Sequence, residues 1–302
     1  MGISQIKQLK GLSLPPTNHR WLRLSALGLV FACLFSFLPA ILSNARIMDD
    51  LAAQRVAMWD DTDYQMIAVN VLHRYGFTVT PHMPYEEYKT MRDESKLVPD
   101  YQFYRAPGFP ILLTGLYAIT GVSTLAARIM VGVILWLTAV LLVWIGDRLA
   151  GWVGSLAGGL AGYFLFKVSL LVNGTEGYFK GRTLSEPLTA FLITLFALLC
   201  IFYLQKRRRL YLYLACLTLT SVALTRANFL AALPIFLVLV FIETRQWKPV
   251  LISAVLLFLP VLAWSGYASY TRQSPVLLTT QGSIDFPRFN NQDVITGFGP
   301  EK

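Results

Sequence analysis

Polar residues become scarce for about twenty positions at a time along most of the chain, then return in short clusters. The apolar runs span about 21–42, 125–145, 153–172, 184–204, 210–225, 229–241 and 250–267. A bilayer-crossing helix needs roughly 17–25 mostly apolar residues, so the pattern predicts seven of them. The fifth and sixth are short and meet at Arg226-Ala227-Asn228. The run 21–42 is longer than the apolar core of a signal peptide and has no convincing cleavage site, so it is expected to be retained. A further run, 109–120, is too short to cross comfortably. Pro107 and Pro110 mark its start, and it is expected to lie in or dip into the membrane interface. Around 62–75 the pattern changes. Tyr64, Ile67, Ala68, Val71, Leu72 and Tyr75 recur at helical spacing, predicting a short amphipathic helix that rests apolar side down on the membrane surface. Gly76 is its expected terminator.

Composition agrees with a membrane-embedded chain. Of 302 residues, 55% are hydrophobic and 14% charged, against about a quarter charged in a soluble domain. The net charge of +9 is spread in clusters between apolar runs rather than gathered in one patch, so no nucleic-acid partner is expected. The clusters set direction instead. With seven crossings and a cytoplasmic N-terminus, Lys7, Lys10, Arg20, Arg23, Arg148, Lys206-Arg207-Arg208-Arg209, Arg245 and Lys248 all face the cytoplasm, as the positive-inside rule requires. If 109–120 crossed as well, the Lys206–Arg209 run would fall outside. The loop 44–108 and the tail 268–302 then belong to the non-cytoplasmic side. Ten of the seventeen acids lie in that loop, which is longer than a connector needs to be. Cys33, Cys200 and Cys216 sit inside apolar runs, so no structural disulfide is expected. The expected organisation is one transmembrane module, 1–267 with the loop 44–108, followed by an outer tail, 268–302.

Asp60, Asp61 and Asp63 fall within four positions. One aspartate would suffice to cap a helix. Three repel one another, and costly charge beside a membrane is expected to mark a functional site, with helix capping alone as the alternative. The triplet Asp61-Thr62-Asp63 also permits a divalent metal, although basic residues are plentiful enough that a metal-independent site is favoured. Arg105, Lys180, Arg182 and Arg226 share the outer side and suit a phosphate, each with the alternative of snorkelling to lipid headgroups. Glu186 has a capping-box alternative through Thr183, with Pro187 in the first helical turn. Lys167 lies inside a span, near its outer end. Tyr85, Tyr88, Tyr101 and Tyr104 suit either sugar stacking or an interfacial belt.

Four segments carry a resemblance: Asp60-Asp61-Thr62-Asp63-Tyr64 followed by Ile67-Ala68 and Gly76, Tyr104-Arg105-Ala106-Pro107-Gly108-Phe109-Pro110, Arg182-Thr183-Leu184-Ser185-Glu186-Pro187, and Leu224-Thr225-Arg226. In order and spacing they resemble the motifs of GT-C-fold glycosyltransferases of the polyprenyl-phosphate-sugar-dependent class, which includes protein O-mannosyltransferases and the lipid A aminoarabinose transferase. The resemblance covers most of the chain. It implies an all-α polytopic fold with interfacial helices in the first outer loop. It also implies sugar transfer from a polyprenyl phosphate to a lipid, glycan or protein acceptor on the non-cytoplasmic face, with membrane lipids as the other partners. By its register Asp60 matches the catalytic acid and Asp61 the acid beside it. A carboxylate there orients or deprotonates the acceptor hydroxyl. Asp63, Tyr64, Tyr104, Arg105, Lys180, Arg182, Glu186 and Arg226 are the expected substrate contacts. Relatives of this kind continue beyond the point where this chain stops, so the tail reads as the start of the next outer loop, and the chain is expected to be either a minimal seven-span version or a fragment. The alternatives are a non-catalytic membrane protein that binds, transports or helps assemble lipid-linked sugars, and an inactive fragment of such a transferase.

Overall fold

The computed structural model describes residue 28 and residues 60–79, 102–171 and 185–281, with side chains from 63 onward in the second of these stretches and up to 165 in the third. The expected span 21–42 apart from residue 28, the loop residues 80–101 and the tail beyond 281 lie outside the described residues. Within them the protein is helical: α1 Asp60–Leu72, α2 Gly108–Thr120, α3 Thr124–Leu171, α4 Glu186–Lys206, α5 Arg209–Thr225, a 3-10 turn Ala227–Ala231 leading into α6 Ala232–Thr244, and α7 Trp247–Arg272. Thr78 and Gln102 form an isolated bridge, with no strand among the described residues. Four helical stretches are long and apolar enough to cross a membrane: Thr124–Leu165, Glu186–Lys206, Ala227–Thr244 and Trp247–Arg272. The chain is thus an all-α protein of membrane type.

The first of those stretches, 42 residues long, is twice what a bilayer requires. It doubles back on itself. Ala150 and Gly151 leave helical geometry, Gly151 at φ 60. A Cβ on Gly154 would lie 1.9 Å from the Gly146 carbonyl oxygen, one on Gly158 2.3 Å from that of Leu142, and one on Gly162 2.6 Å from Ala139 Cβ. As the position rises by four on one arm, its contact falls by three or four on the other, which is an antiparallel hairpin. Glycines at every fourth position let the two backbones touch, as small residues do between membrane helices. The arms correspond to the expected runs 125–145 and 153–172.

In α7, Pro260 lies mid-helix. Proline has no N–H to give the carbonyl four residues earlier. Thr220 Oγ1 of α5 donates instead to Leu256 O at 3.0 Å, and lies 3.1 Å from Leu257 O. In an apolar surrounding an unpaired carbonyl is costly, so the threonine both satisfies the break and locks α5 to α7.

α1 departs from expectation. It was predicted over 62–75 with one face on the membrane surface. It runs Asp60–Leu72, and its polar side is as buried as its apolar side: Gln65, Met66, Ile67, Ala68, Val69 and Asn70 are all buried. α2 covers one side with Phe109, Leu113 and Tyr117. The segment after the helix covers another, where Asn70 Nδ2 donates to Thr78 O at 2.7 Å. α1 is therefore an enclosed helix, and α2 turns the outward face, with Ile111, Leu112 and Ile119 exposed. The helix is closed by Arg74, in the left-handed region at φ 66, where Tyr75 N donates back to Asn70 O at 2.8 Å; Gly76, the expected terminator, lies two residues further on at φ 95.

Charged residues separate to two ends of the bundle. Arg148 meets Gln205, Arg207 meets Glu243 and Arg209 meets Gln246, which gathers the α3 turn, the α4–α5 turn and the α6–α7 turn at one end. Glu186 and Arg226, at the other tips of α4 and α5, meet at the opposite end, beside α1 and α2. α4 has 21 residues, so the ends stand about 30 Å apart, the thickness of a bilayer core.

Candidate functional site

At the end that holds α1, four short segments close on one another. Arg105 gives Nε, at 3.2 Å, and Nη2, at 2.8 Å, to one oxygen of Asp63, Oδ2. The Arg105 side chain is 7% exposed and that of Asp63 21%. Its guanidinium also lies 5.4 Å from the ring centre of Tyr64 and 4.8 Å from that of Tyr104. A carboxylate and two aromatic faces thus hold one buried cation. The next residue on α1, Tyr64, reaches α4, its hydroxyl 3.0 Å from Ser185 Oγ. Beside Ser185, Glu186 Oε1 pairs with Arg226 Nη1 at 2.9 Å. A last contact closes the ring. Gly108 sits so near α5 that a Cβ would lie 2.5 Å from Thr225 Oγ1 and 3.0 Å from Thr225 N and Cα. Segment 60–64 thereby touches 104–110 and 185–187, and each of those touches 224–226.

Local structure explains each placement. Ser185 ends a bend, and its carbonyl accepts from Thr189 N and Thr189 Oγ1, both at 2.9 Å. Glu186 is the first residue of α4. A capping-box acid occupies the third helical position, so Glu186 is not one, and its carboxylate goes to Arg226. Arg226 is the extended residue at which α5 stops, φ −140 and ψ 112, which swings its side chain away from the helix axis toward α4. Arg105 is held by the backbone before it. Phe103 N donates to Phe77 O at 2.9 Å, and Thr280 N donates to Phe103 O at 2.8 Å. Thr280 Oγ1 donates to Gln102 O at 3.1 Å and Thr279 Oγ1 to Tyr104 O. Trp264 Nε1 reaches Leu278 O at 2.9 Å. The stretch after α7 is therefore a strap that fixes the approach to Arg105, where Phe77 stacks on Phe103 and Trp264 and Tyr267 meet that pair edge-on. Nothing in the sequence of 274–281 announces it beyond a pair of threonines.

Between α4 and the 3-10 turn lies a shallow, open cleft of about 430 Å³ lined by Glu186, Thr189, Ala190, Ile193, Arg226, Asn228 and Phe229. Its mouth is charged and its walls are apolar. Glu186 Oε2 is buried without a hydrogen-bond donor among the described residues. On the far side of α1, Tyr117 OH donates to Gln65 Oε1 at 3.4 Å. Burial pushes the Tyr117 phenol up from its ordinary value, and the nearby Arg128 charge partly offsets this.

A scan against protein-family models, a search of curated proteins and a search of solved structures each return no match.

Of the expected site residues, Asp63, Tyr64, Tyr104, Arg105, Glu186 and Arg226 come together here. Asp60 and Asp61 begin α1, but their side chains lie outside the described residues, as do Lys180, Arg182 and the side chain of Lys167. Asp60 precedes Asp63 by three residues and Tyr64 by four, and so shares their helical face at register level. Asp61 precedes the buried Gln65 by four and occupies the adjoining face. Ser185 and Thr225 had not been singled out as contacts, although both stand within the quoted motifs.

Proposed function

We propose that the protein is a GT-C-type membrane glycosyltransferase that moves a sugar from a polyprenyl-phosphate donor to an acceptor on the non-cytoplasmic face. One observation carries the reading: the four segments that resemble the family's motifs, scattered from residue 60 to 226, meet in a closed ring of contacts at one end of the bundle. Seven crossings fit this proposal. The two arms of α3, then α4, α5, the 226–244 unit and α7 supply six, and the apolar run 21–42 supplies the other. The cytoplasmic end is the one carrying Arg148, Lys206–Arg209, Arg245 and Lys248, by the positive-inside rule.

In this reading the cleft beside Arg226 receives the donor. Arg226 and Glu186 are 36% and 41% exposed in their side chains, so a lipid phosphate can reach the guanidinium and share its five donors with the carboxylate. Ala190, Ile193 and Phe229 offer the apolar wall that a prenyl chain needs. Glu186 Oε2, a buried acceptor, suits a sugar hydroxyl. Arg105 has a different part. With both nitrogens on Asp63 it anchors α1 and thereby sets where Asp60, the proposed base or acceptor-orienting group, begins the helix. Asp63 already spends an oxygen on Arg105, which favours the metal-independent form of this scheme.

Binding of a labelled polyprenyl-phosphate sugar to the purified full-length protein in nanodiscs tests the reading. Arg226→Gln is expected to weaken binding about ten-fold or more, the scale of a lost charge-assisted contact. Binding with unchanged affinity in Arg226→Gln and in Glu186→Gln would exclude the cleft. Binding by the wild type with no transfer to any acceptor would favour a non-catalytic lipid-sugar carrier.

A further inference from the structure

The opposite end of the bundle carries a second set of charges that the transferase reading does not use. Three chain turns gather there, bringing Arg148, Lys206, Arg207, Arg208, Arg209, Arg245 and Lys248 together against two described acids, Asp147 and Glu243. Among the described residues, Arg207 alone of these cations pairs with a carboxylate, that of Glu243. The others rest on neutral groups or on none. Arg148 Nη1 donates to Gln205 Oε1 at 3.4 Å, Arg209 Nη2 to Gln246 Oε1 at 2.7 Å, and Lys206 Nζ to Tyr211 OH at 3.2 Å. Two of them share one ring. The Arg148 guanidinium lies 5.1 Å and the Lys206 ammonium 5.2 Å from the centre of Phe202, which keeps the two charges within about a Debye length of each other. Phe202 is itself held edge-on by Trp144 at 5.5 Å.

We propose that this cluster binds the phosphate of an anionic membrane lipid between Arg148 and Lys206. Two like charges held on one aromatic ring, neither of them in an ion pair among the described residues, favour an anion that bridges them. The arginine fork can take two phosphate oxygens and the lysine a third. The occupant is a lipid rather than a free ion because greasy side chains flank the cations. Leu149, Leu204 and Leu210 are exposed next to Arg148, Lys206 and Arg209, where acyl chains would lie. Trp144, Trp152 and Trp247 are exposed at the same end, as aromatic residues are at headgroup level. The site is some 30 Å from the Glu186–Arg226 cleft along α4, and the proposal does not depend on the transferase reading.

The test uses the full-length protein in nanodiscs of phosphatidylcholine with a minor share of phosphatidylglycerol. Native mass spectrometry counts the lipids that stay bound on release. The wild type is expected to retain phosphatidylglycerol in preference to phosphatidylcholine. Arg148→Gln with Lys206→Gln should lower that preference about 25-fold, since each basic residue near an anionic headgroup contributes about five-fold. The exposed single variant Lys206→Gln should show a smaller loss in the same direction, which keeps the test open if the double variant folds poorly. Lys248→Gln should leave the preference intact. Equal retention of both lipids by the wild type would overturn the proposal. So would an equal loss in Lys248→Gln, which would mean diffuse charge rather than a site. Displacement of the lipid by inorganic phosphate at matching concentration would assign the cluster to the free ion and overturn the lipid reading.

Discussion

Asp63 gives a single oxygen to two nitrogens of Arg105, and the pair is almost closed from solvent. Removing the guanidinium deletes charge-assisted hydrogen bonds in a largely buried setting, at a cost of about 1.5–3 kcal/mol. Arg105→Ala is therefore expected to lower the unfolding temperature in detergent markedly, and Arg105→Lys to recover part of the loss. An unaltered unfolding temperature in Arg105→Ala would remove its anchoring role. Gly108 is subject to a steric constraint. Its Cβ would meet Thr225 backbone at 3.0 Å, and backbone cannot swing aside as a flexible side chain can. Gly108→Val should cost about 1–3 kcal/mol, typical of forced overpacking, and should loosen the ring by parting α2 from α5. Retained stability together with retained donor binding in that variant would show that the contact is dispensable. The residue types at these points were legible because charge in an apolar chain is rare enough to notice. Their partners were less so. Nothing in the order of residues says that Tyr64 meets Ser185, since the two are 121 positions apart and neither is charged.

Element boundaries followed the apolar pattern closely where membrane length dictates it. The expected runs 184–204 and 250–267 correspond to Glu186–Lys206 and Trp247–Arg272, and α7 continues five residues beyond its predicted end. α1 was misread for a physical reason. A helical stripe of apolar residues is the same whether the polar face meets water or meets other protein, and only the folding of α2 and 77–79 onto Gln65 and Asn70 decides between them. The glycine hairpin carried a signal that went unused: Gly154, Gly158 and Gly162 recur every fourth residue. Gly158→Leu should separate the arms of α3, because its Cβ already falls 2.3 Å from a carbonyl oxygen. It should abolish recovery of folded protein in size-exclusion chromatography, and a normal monodisperse peak would contradict the hairpin. A milder prediction attaches to the proline break. Thr220→Val keeps the shape but leaves the Leu256 carbonyl without its donor. It should cost about 1–3 kcal/mol, whereas Thr220→Ser should cost less because it retains the hydroxyl. Equal stability of Thr220→Val and the wild type would mean that Leu256 finds another donor.

At the scale of the whole molecule, two ends of opposite character are joined by a bundle about one bilayer thick. The separation implies an orientation that labelling can check. In a chain whose Cys33, Cys200 and Cys216 are replaced by serine, Thr90→Cys should react with an impermeant thiol reagent from outside intact cells, and Arg208→Cys should react after permeabilisation alone. The reverse result would invert the topology and move the acidic loop to the cytoplasm. The proposed turnover rests on Asp60 at the start of α1. Asparagine caps a helix about as well as aspartate, so Asp60→Asn should leave folding and donor binding intact while removing the charge proposed to act on the acceptor. The decisive measurement is sugar transfer from a labelled polyprenyl-phosphate donor by the purified full-length protein in nanodiscs, compared with Asp60→Asn. The account predicts transfer by the wild type and a fall of about 10²–10⁴ in the variant, the usual loss when a general base is removed. Transfer at an equal rate by both proteins would contradict it.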